Sequence, residues 1–314
     1  MSQQPDAKRL IRKPDWLKRR LPAGPAYEQV RGLLERSQLH TVCQEAHCPN
    51  IWECFSRGTA TFLIMGPNCT RACRFCAVGH GRPAPIDPNE PIHVAEAVLE
   101  MGLTYVVVTS VTRDDLPDGG GGVFAETILE IQKRVARAAV EVLIPDFQGD
   151  RDALKFVMNA RPAVLNHNIE TIQRLYPRVR PGADYGRSLD ILRWAGEEDA
   201  SIPTKSGLML GLGESSREVE ETFEDLLDAG CRILTLGQYL QPSKEHLPVE
   251  RYVEPDEFDR WRGKALYMGF RAVASAPFVR SSYQAEDLWR RAGGGTAGPK
   301  QQEAGRKAEP SNEK

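Results

Sequence analysis

No stretch of this chain approaches the roughly 20 consecutive apolar residues that a membrane-spanning helix needs, so none is expected. Charge of one sign is also lacking: 41 Lys and Arg stand against 43 Asp and Glu, a net charge of −2. That balance gives no global attraction to nucleic acid or to an anionic membrane, and neither is expected as a partner. The basic start (Lys8, Arg9, Arg12, Lys13, Lys18, Arg19, Arg20) has no apolar secretory core. Asp6, Pro14, Asp15 and Pro22 argue against an Arg-rich amphipathic transit helix. A cytoplasmic location is therefore expected. Cysteine is scarce too, seven in 314 residues, and clustered cysteines in a chain with no export signal point to metal rather than disulfides.

What the chain does contain is a rhythm. Short β-branched runs without polar alternation fall at residues 61–65, 105–109, 140–144, 163–166, 206–210 and 233–236. Such runs suit strands buried on both faces. Helical patterns separate them at residues 93–101, 123–139, 152–159, 187–195 and 217–228, with another at 256–268. Strand and helix repeated six times imply parallel strands with right-handed crossovers. The fold class expected is α/β, a partial (β/α)6 TIM-like barrel; a full barrel and an open doubly wound sheet are the rivals. We expect an irregular extension over 1–60, the barrel over 61–275, a C-terminal cap over 276–291 and a disordered tail over 292–314.

Six of the seven cysteines form two triplets, Cys43-x4-Cys48-x5-Cys54 and Cys69-x3-Cys73-x2-Cys76. Each offers three soft thiolates and no local fourth. An iron–sulfur cluster with an unfilled iron does chemistry that a closed metal site cannot. The second triplet follows the first expected strand directly, where barrels place their chemistry. Arg71 and Arg74 beside it help keep thiols ionised. The competing reading is a zinc knuckle, but zinc takes four ligands, commonly paired as C-x2-C, and x3 followed by x2 departs from that.

Cys69-x3-Cys73-x-Phe75-Cys76 resembles the signature of radical S-adenosylmethionine enzymes, including the aromatic before the last cysteine. The resemblance implies a [4Fe-4S] cluster whose open iron chelates S-adenosyl-L-methionine and reduces it to a 5′-deoxyadenosyl radical, the cofactor supplying the radical step. The first triplet and Arg280-Ser281-Ser282-Tyr283 narrow the likeness to the lipoyl synthase family. Gly58–Phe62, Arg113–Leu116, Asn166–Asn168, Val179–Tyr185, Pro203–Met209 and Thr235–Pro242 look the same way, and the likeness spans about residues 10–286.

That resemblance implies two [4Fe-4S] clusters. Cys69, Cys73 and Cys76 would hold the radical-generating one. Cys43, Cys48, Cys54 and a C-terminal serine would hold an auxiliary one that is consumed as sulfur donor. Ser282 is taken as that serine, with Ser281 the alternative; without the likeness, both read as a turn or helix cap. A serine oxygen matches iron less well than thiolate, which suits a corner that must be lost. Phe75, Asn168, Glu170 and Arg180 are the candidate cofactor contacts, Arg180 for the methionine carboxylate. The implied reaction inserts sulfur at C6 and C8 of an octanoyl group on a lipoyl carrier protein or domain. The implied partners also include an electron donor such as ferredoxin or flavodoxin and a cluster-repair carrier.

Other residues read as structure. Cys231 enters a strand and reads as a small core hydrophobe; His47 reads as loop, and His93 as helix. The glycines of 207–213 close a βα turn and are weak as a nucleotide signal. Asp114, Asp115, Asp118 and Gly119–Gly122 lie at the expected barrel mouth without EF-hand spacing. Three other functions compete: a biotin-synthase-like sulfur inserter acting on a free small molecule, a zinc-stabilised binding module, and a cluster-carrying electron-transfer or assembly protein.

Overall fold

The structure, a computed structural model, describes residues 12–18 and 25–295. Lys8, Arg9, Arg19, Arg20 and most of the expected tail lie outside the described residues. The sheet strands are β1 (His40–Thr41), β2 (Thr61–Ile64), β5 (Tyr105–Ser110), β6 (Ala139–Leu143), β7 (Val164–Asn166), β8 (Thr204–Leu210), β9 (Ile233–Gln238) and β10 (Ala272–Ser275); β3 (Asn68–Cys69) and β4 (Gly79–His80) form a separate ribbon. Sheet order follows chain order, β1-β2-β5-β6-β7-β8-β9-β10, and every pair after the antiparallel β1–β2 is parallel. A doubly wound sheet would reverse its order at a switch point. This one does not, so the architecture is the partial TIM-like barrel. A seventh parallel strand, Ala272–Ser275, joins the six expected; with two alanines in four residues it carries little β signal.

The helices are α1 (Pro25–Arg36), α2 (Val42–Glu45), α3 (Ile51–Ser56), α4 (Glu90–Glu100), α5 (Gly121–Arg134), α6 (Arg151–Asn159), α7 (Tyr176–Val179), α8 (Tyr185–Glu198), α9 (Ser216–Asp228), α10 (Pro255–Met268) and α11 (Ala285–Arg291). Their starts are written locally. Asp150 accepts the Asp152 and Ala153 amides ahead of α6, and Ser215 with Glu218 forms a capping box on α9. Helix α5 ends at Arg134, short of the expected residue 139, because Ala139 already pairs in β6. The lead-in is more ordered than its prolines suggest: α1 buries Val30, Leu33 and Leu34.

Strand alternation and register place Tyr105, Glu141, Asn166 and Lys205 on the face turned into the barrel. There Lys205 Nζ meets Glu141 Oε1 at 2.7 Å, both side chains 0% exposed, and the Tyr105 hydroxyl donates to Glu141 at 2.6 Å. Below this charged layer, Leu288 of α11 packs with Val164, Ile233 and Ala272, the first residues of their strands. Trp289 of the same helix packs against Tyr105 in a tilted arrangement, ring centroids 5.5 Å apart. The C-terminal helix thus closes the lower end of the barrel, leaving the ends where strands terminate for chemistry.

Candidate active site

The second triplet leaves β2 through a left-handed turn at Met65 (φ 67°) and Gly66 (φ 84°). The buried Glu90 carboxylate accepts the Met65 amide at 2.7 Å and fixes that turn. Thr70 then bonds the Thr112 carbonyl through its amide (3.0 Å) and its hydroxyl (2.9 Å). The Cys69 sulfur accepts the Arg71 and Thr112 amides at 3.4 and 3.3 Å. Arg71 grips Asp114 with two N–H groups (2.7 and 2.8 Å) and Asp146 with a third (2.7 Å). Those aspartates follow β5 and β6, so the cysteine loop is tied to two strand ends. Burial opposes ionisation of Asp146, but the bonds from Arg71 outweigh it and hold the carboxyl down at about 2. From the other side the His246 imidazole Nε2 lies 3.0 Å from the Cys76 carbonyl.

Asn168, Glu170 and Arg180 are brought to this loop. Arg180 is buried, lies over the Tyr176 ring at 5.3 Å and donates to the Asn168 carbonyl at 2.9 Å. Its charge also reaches Cys73, where burial pushes the thiol up and Arg180 opposes that rise. Glu170 sits in left-handed backbone (φ 63°), held against β8 by the Gly207 carbonyl and the Met209 amide. Burial pushes its carboxyl up, with Arg180 and Asn168 opposing. The Asn168 amide donates to Glu170 Oε1 at 2.9 Å. Phe75 packs among Ile172, Leu175, Leu212, Tyr239 and Met209, beside the same arm.

The first triplet is built on two short helices. Thr41 caps α2, the Cys48 amide bonds the Cys43 carbonyl at 3.0 Å, and the Cys54 amide bonds the Asn50 carbonyl at 2.9 Å. Burial and then the neighbouring Cys48 push Cys43 up to about 12 and Cys54 to about 11. Burial likewise pushes Cys76 up to about 12, with Cys73 and Cys69 adding to it. Thiolates gathered this way need strongly cationic partners. Among the described residues no three His, Cys, Asp or Glu side chains are grouped to hold one metal ion. A lone zinc needs four donors about 2.0–2.3 Å from one point, whereas a cubane spreads its thiolates over different irons. Three free thiols per triplet, with no fourth cysteine beside either, are a donor set that a cubane with an open corner accepts.

The C-terminal segment lies between the first-triplet lobe and Asn168, just past β7. It leaves β10 along β9, so close that a Cβ on Gly237 would sit 2.2 Å from the Val279 carbonyl oxygen. Asn50 Nδ2 donates to the Phe278 carbonyl at 2.7 Å, and the Tyr283 hydroxyl donates to Glu53 at 2.9 Å. Both contacts fall on the first-triplet lobe. On the opposite side, the Ser281 hydroxyl donates to Asn168 Oδ1 at 2.9 Å. Ser282 lies in the turn between these anchors.

Residues 63–226 match the radical SAM superfamily, and residues 2–48 match the N-terminal domain of lipoyl synthase. The lipoyl synthase of Desulfotalea psychrophila is 55% identical over 291 residues, covering 93% of this chain and 97% of that one. That of Rubrobacter xylanophilus is 56% identical over 275 residues, 88% of this chain and 86% of that one. The chain belongs to the lipoyl synthase family. Lipoyl synthases are radical S-adenosylmethionine enzymes that insert sulfur, with [4Fe-4S] clusters and S-adenosyl-L-methionine as cofactors. Among solved structures, methylornithine synthase aligns with a TM-score of 0.54 at 15% identity, over 85% of this chain and 80% of that one. The [FeFe]-hydrogenase maturase HydG aligns with a TM-score of 0.54 at 14% identity, over 78% and 65%. These distant likenesses bear on the fold alone.

Sequence reading passed over Asp146, His246, Glu90 and Thr112. Only Asp146, an acid just past a strand run, carried a positional signal. Cys231 is fully buried, and His47 is an exposed left-handed turn residue (φ 49°), both as their neighbours implied. A surface cavity of about 580 Å³ lined by Glu214, Arg251, Glu257, Trp261 and Lys264 contains none of the cysteines. Among the described residues, no helix is long and apolar enough to cross a membrane.

Proposed function

We propose that this lipoyl synthase acts on an octanoyl chain amide-linked to a lysine of a lipoyl carrier protein or domain, inserting sulfur at C6 and C8. Cys69, Cys73 and Cys76 hold the radical-generating cluster; Cys43, Cys48, Cys54 and Ser282 hold the auxiliary one. When bound, these groups and S-adenosyl-L-methionine supply a deoxyadenosyl radical on one side and sulfide on the other. Asn168 and Glu170 offer a carbonyl, an amide and a carboxylate to the cofactor's ribose and polar groups. Arg180 braces that arm against Cys73, its Nη1 already engaged by the Asn168 carbonyl and the Tyr176 hydroxyl. Phe75 supplies an apolar wall. Ser281 is engaged by Asn168, which favours Ser282 as the auxiliary ligand.

The observation that supports this reading is the C-terminal segment anchored on the first-triplet lobe through Asn50 and Glu53, and on the candidate cofactor contact Asn168 through Ser281. A substrate tail lying along that segment would be within reach of both centres, and alignment is what radical chemistry on an unactivated C–H bond asks of the protein. Electrons would come from a ferredoxin or flavodoxin, sulfur would be restored by a cluster-repair carrier, and the compartment would be the cytoplasm. The test is an anaerobic assay with an octanoylated lysine peptide, following deoxyadenosine and thiolated products by mass spectrometry. Replacing Cys69, Cys73 and Cys76 by Ala should abolish deoxyadenosine. Replacing Cys43, Cys48 and Cys54 should leave some deoxyadenosine but no thiolated product. Lipoyl product from the second variant would overturn the sulfur-donor role, and turnover of free octanoate alone would favour the free-substrate alternative.

A further inference from the structure

We infer that Ser281 is a positioning residue that makes cofactor binding at Asn168 depend on the state of the first cysteine triplet. The inference rests on the reading above for Asn168 and Ser282. Its basis is a polarised relay: the Ser281 hydroxyl donates to Asn168 Oδ1 at 2.9 Å, and the Asn168 amide donates onward to Glu170 Oε1 at 2.9 Å. Both ends of the amide are thereby assigned, and the side chain is held in one orientation.

The junction is tight. A Cβ on Gly207 would lie 2.8 Å from Asn168 Oδ1, 2.9 Å from the Ser281 hydroxyl and 2.9 Å from Thr235 Oγ1. A glycine there lets β8 approach the relay, so Ser281 can shift little without moving Asn168. On its other flank the same short segment is held to the first-triplet lobe, by Asn50 to Phe278 O and by Tyr283 to Glu53. Ser281 is also the covalent neighbour of Ser282. A displacement of Ser282 therefore reaches the Asn168 amide through one peptide unit and one hydrogen bond, and one of the Cys48–Cys54 loop through the Glu53–Tyr283 bond, two peptide units and the same final bond. The functional sense is economy: S-adenosylmethionine is gripped fully only when the sulfur donor is in place.

The test measures S-adenosylmethionine affinity by anaerobic equilibrium dialysis, beside KM and kcat for deoxyadenosine formation. Loss of one neutral hydrogen bond should weaken cofactor binding about three- to ten-fold in Ser281→Ala, with KM rising more than kcat falls. Ser281→Thr keeps the hydroxyl and should restore most of the affinity, which a purely steric role would not predict. The Cys43/Cys48/Cys54→Ala variant should bind about as weakly as Ser281→Ala, and combining the two should add less than a further twofold. Parental affinity in Ser281→Ala, failure of Ser281→Thr to rescue, or effects that multiply in the combined variant would each overturn the coupling. Failure of the wider reading would look different: Asn168→Ala would bind S-adenosylmethionine as tightly as the parent, or Ser282→Ala would retain the parent's iron and sulfide.

Discussion

Replacing Lys205 by Met probes the charged layer inside the barrel, where loss of one partner should be costly. Lys205 and Glu141 are both 0% exposed and 2.7 Å apart. Without the ammonium, Glu141 keeps the Tyr105 hydroxyl at 2.6 Å and the Asn166 amide at 3.3 Å. Two hydrogen bonds from neutral donors to the carboxylate, each about 1.5–3 kcal/mol, were already made beside the ammonium and do not replace its full countercharge. A buried charge left without its partner costs about 3–5 kcal/mol. For a domain of this size each kcal/mol moves Tm by about 2–4 °C, so Lys205→Met should melt about 10 °C below the parent by calorimetry. Removing both charges tells the mechanism: Lys205→Met with Glu141→Leu should recover most of the loss, since well-packed apolar replacements of buried ion pairs are often neutral. A single variant melting within about 2 °C of the parent, or a double variant no better than the single, refutes the argument.

Two further outcomes follow from the geometry. Burial, and then Arg180, hold the His167 imidazole down at about 4, while its Nδ1 lies 2.9 Å from the Ile144 carbonyl. The unfolded chain takes up that proton near pH 6.5, so stability is full above that pH and falls between about 6.5 and 4, by about 3 kcal/mol in all. Urea denaturation across that range should show the slope, and His167→Gln should flatten it; an unaltered slope in the variant would count against the assignment. Gly237→Ala places a methyl 2.2 Å from the Val279 carbonyl oxygen, so the C-terminal segment must shift. Overpacking of this kind costs about 1–3 kcal/mol. Iron per chain should fall toward the content of the second triplet alone, and parental iron and sulfide would contradict it.

The barrel was legible because its strands, buried on both faces, form short β-branched runs with helices of ordinary period between them. What escaped was local. The strand Ala272–Ser275 is set by its neighbour β9 more than by its own residues, and α5 stops where Ala139 is claimed by β6. The two cysteine triplets stood out in the sequence by their spacing. Their supports did not: Arg71 reaches Asp114 and Asp146, 43 and 75 positions away, and His246 reaches Cys76 from 170 positions away. No periodicity encodes such pairs; only the folded barrel brings their strand ends together. The choice between Ser281 and Ser282 was likewise undecided in a tetrapeptide, and the partner of Ser281 stands 113 positions away.

The tether from Asn50 to Phe278 and from Glu53 to Tyr283 joins positions 228 and 230 residues apart. During synthesis, then, the first cysteines leave the ribosome long before the residues that complete their surroundings exist. Domains form largely as units once their chain has emerged. The C-terminal contacts of that lobe are consequently made only by the finished polypeptide, and a nonsense codon between Cys76 and Phe278 would forfeit them even with both cysteine triplets present.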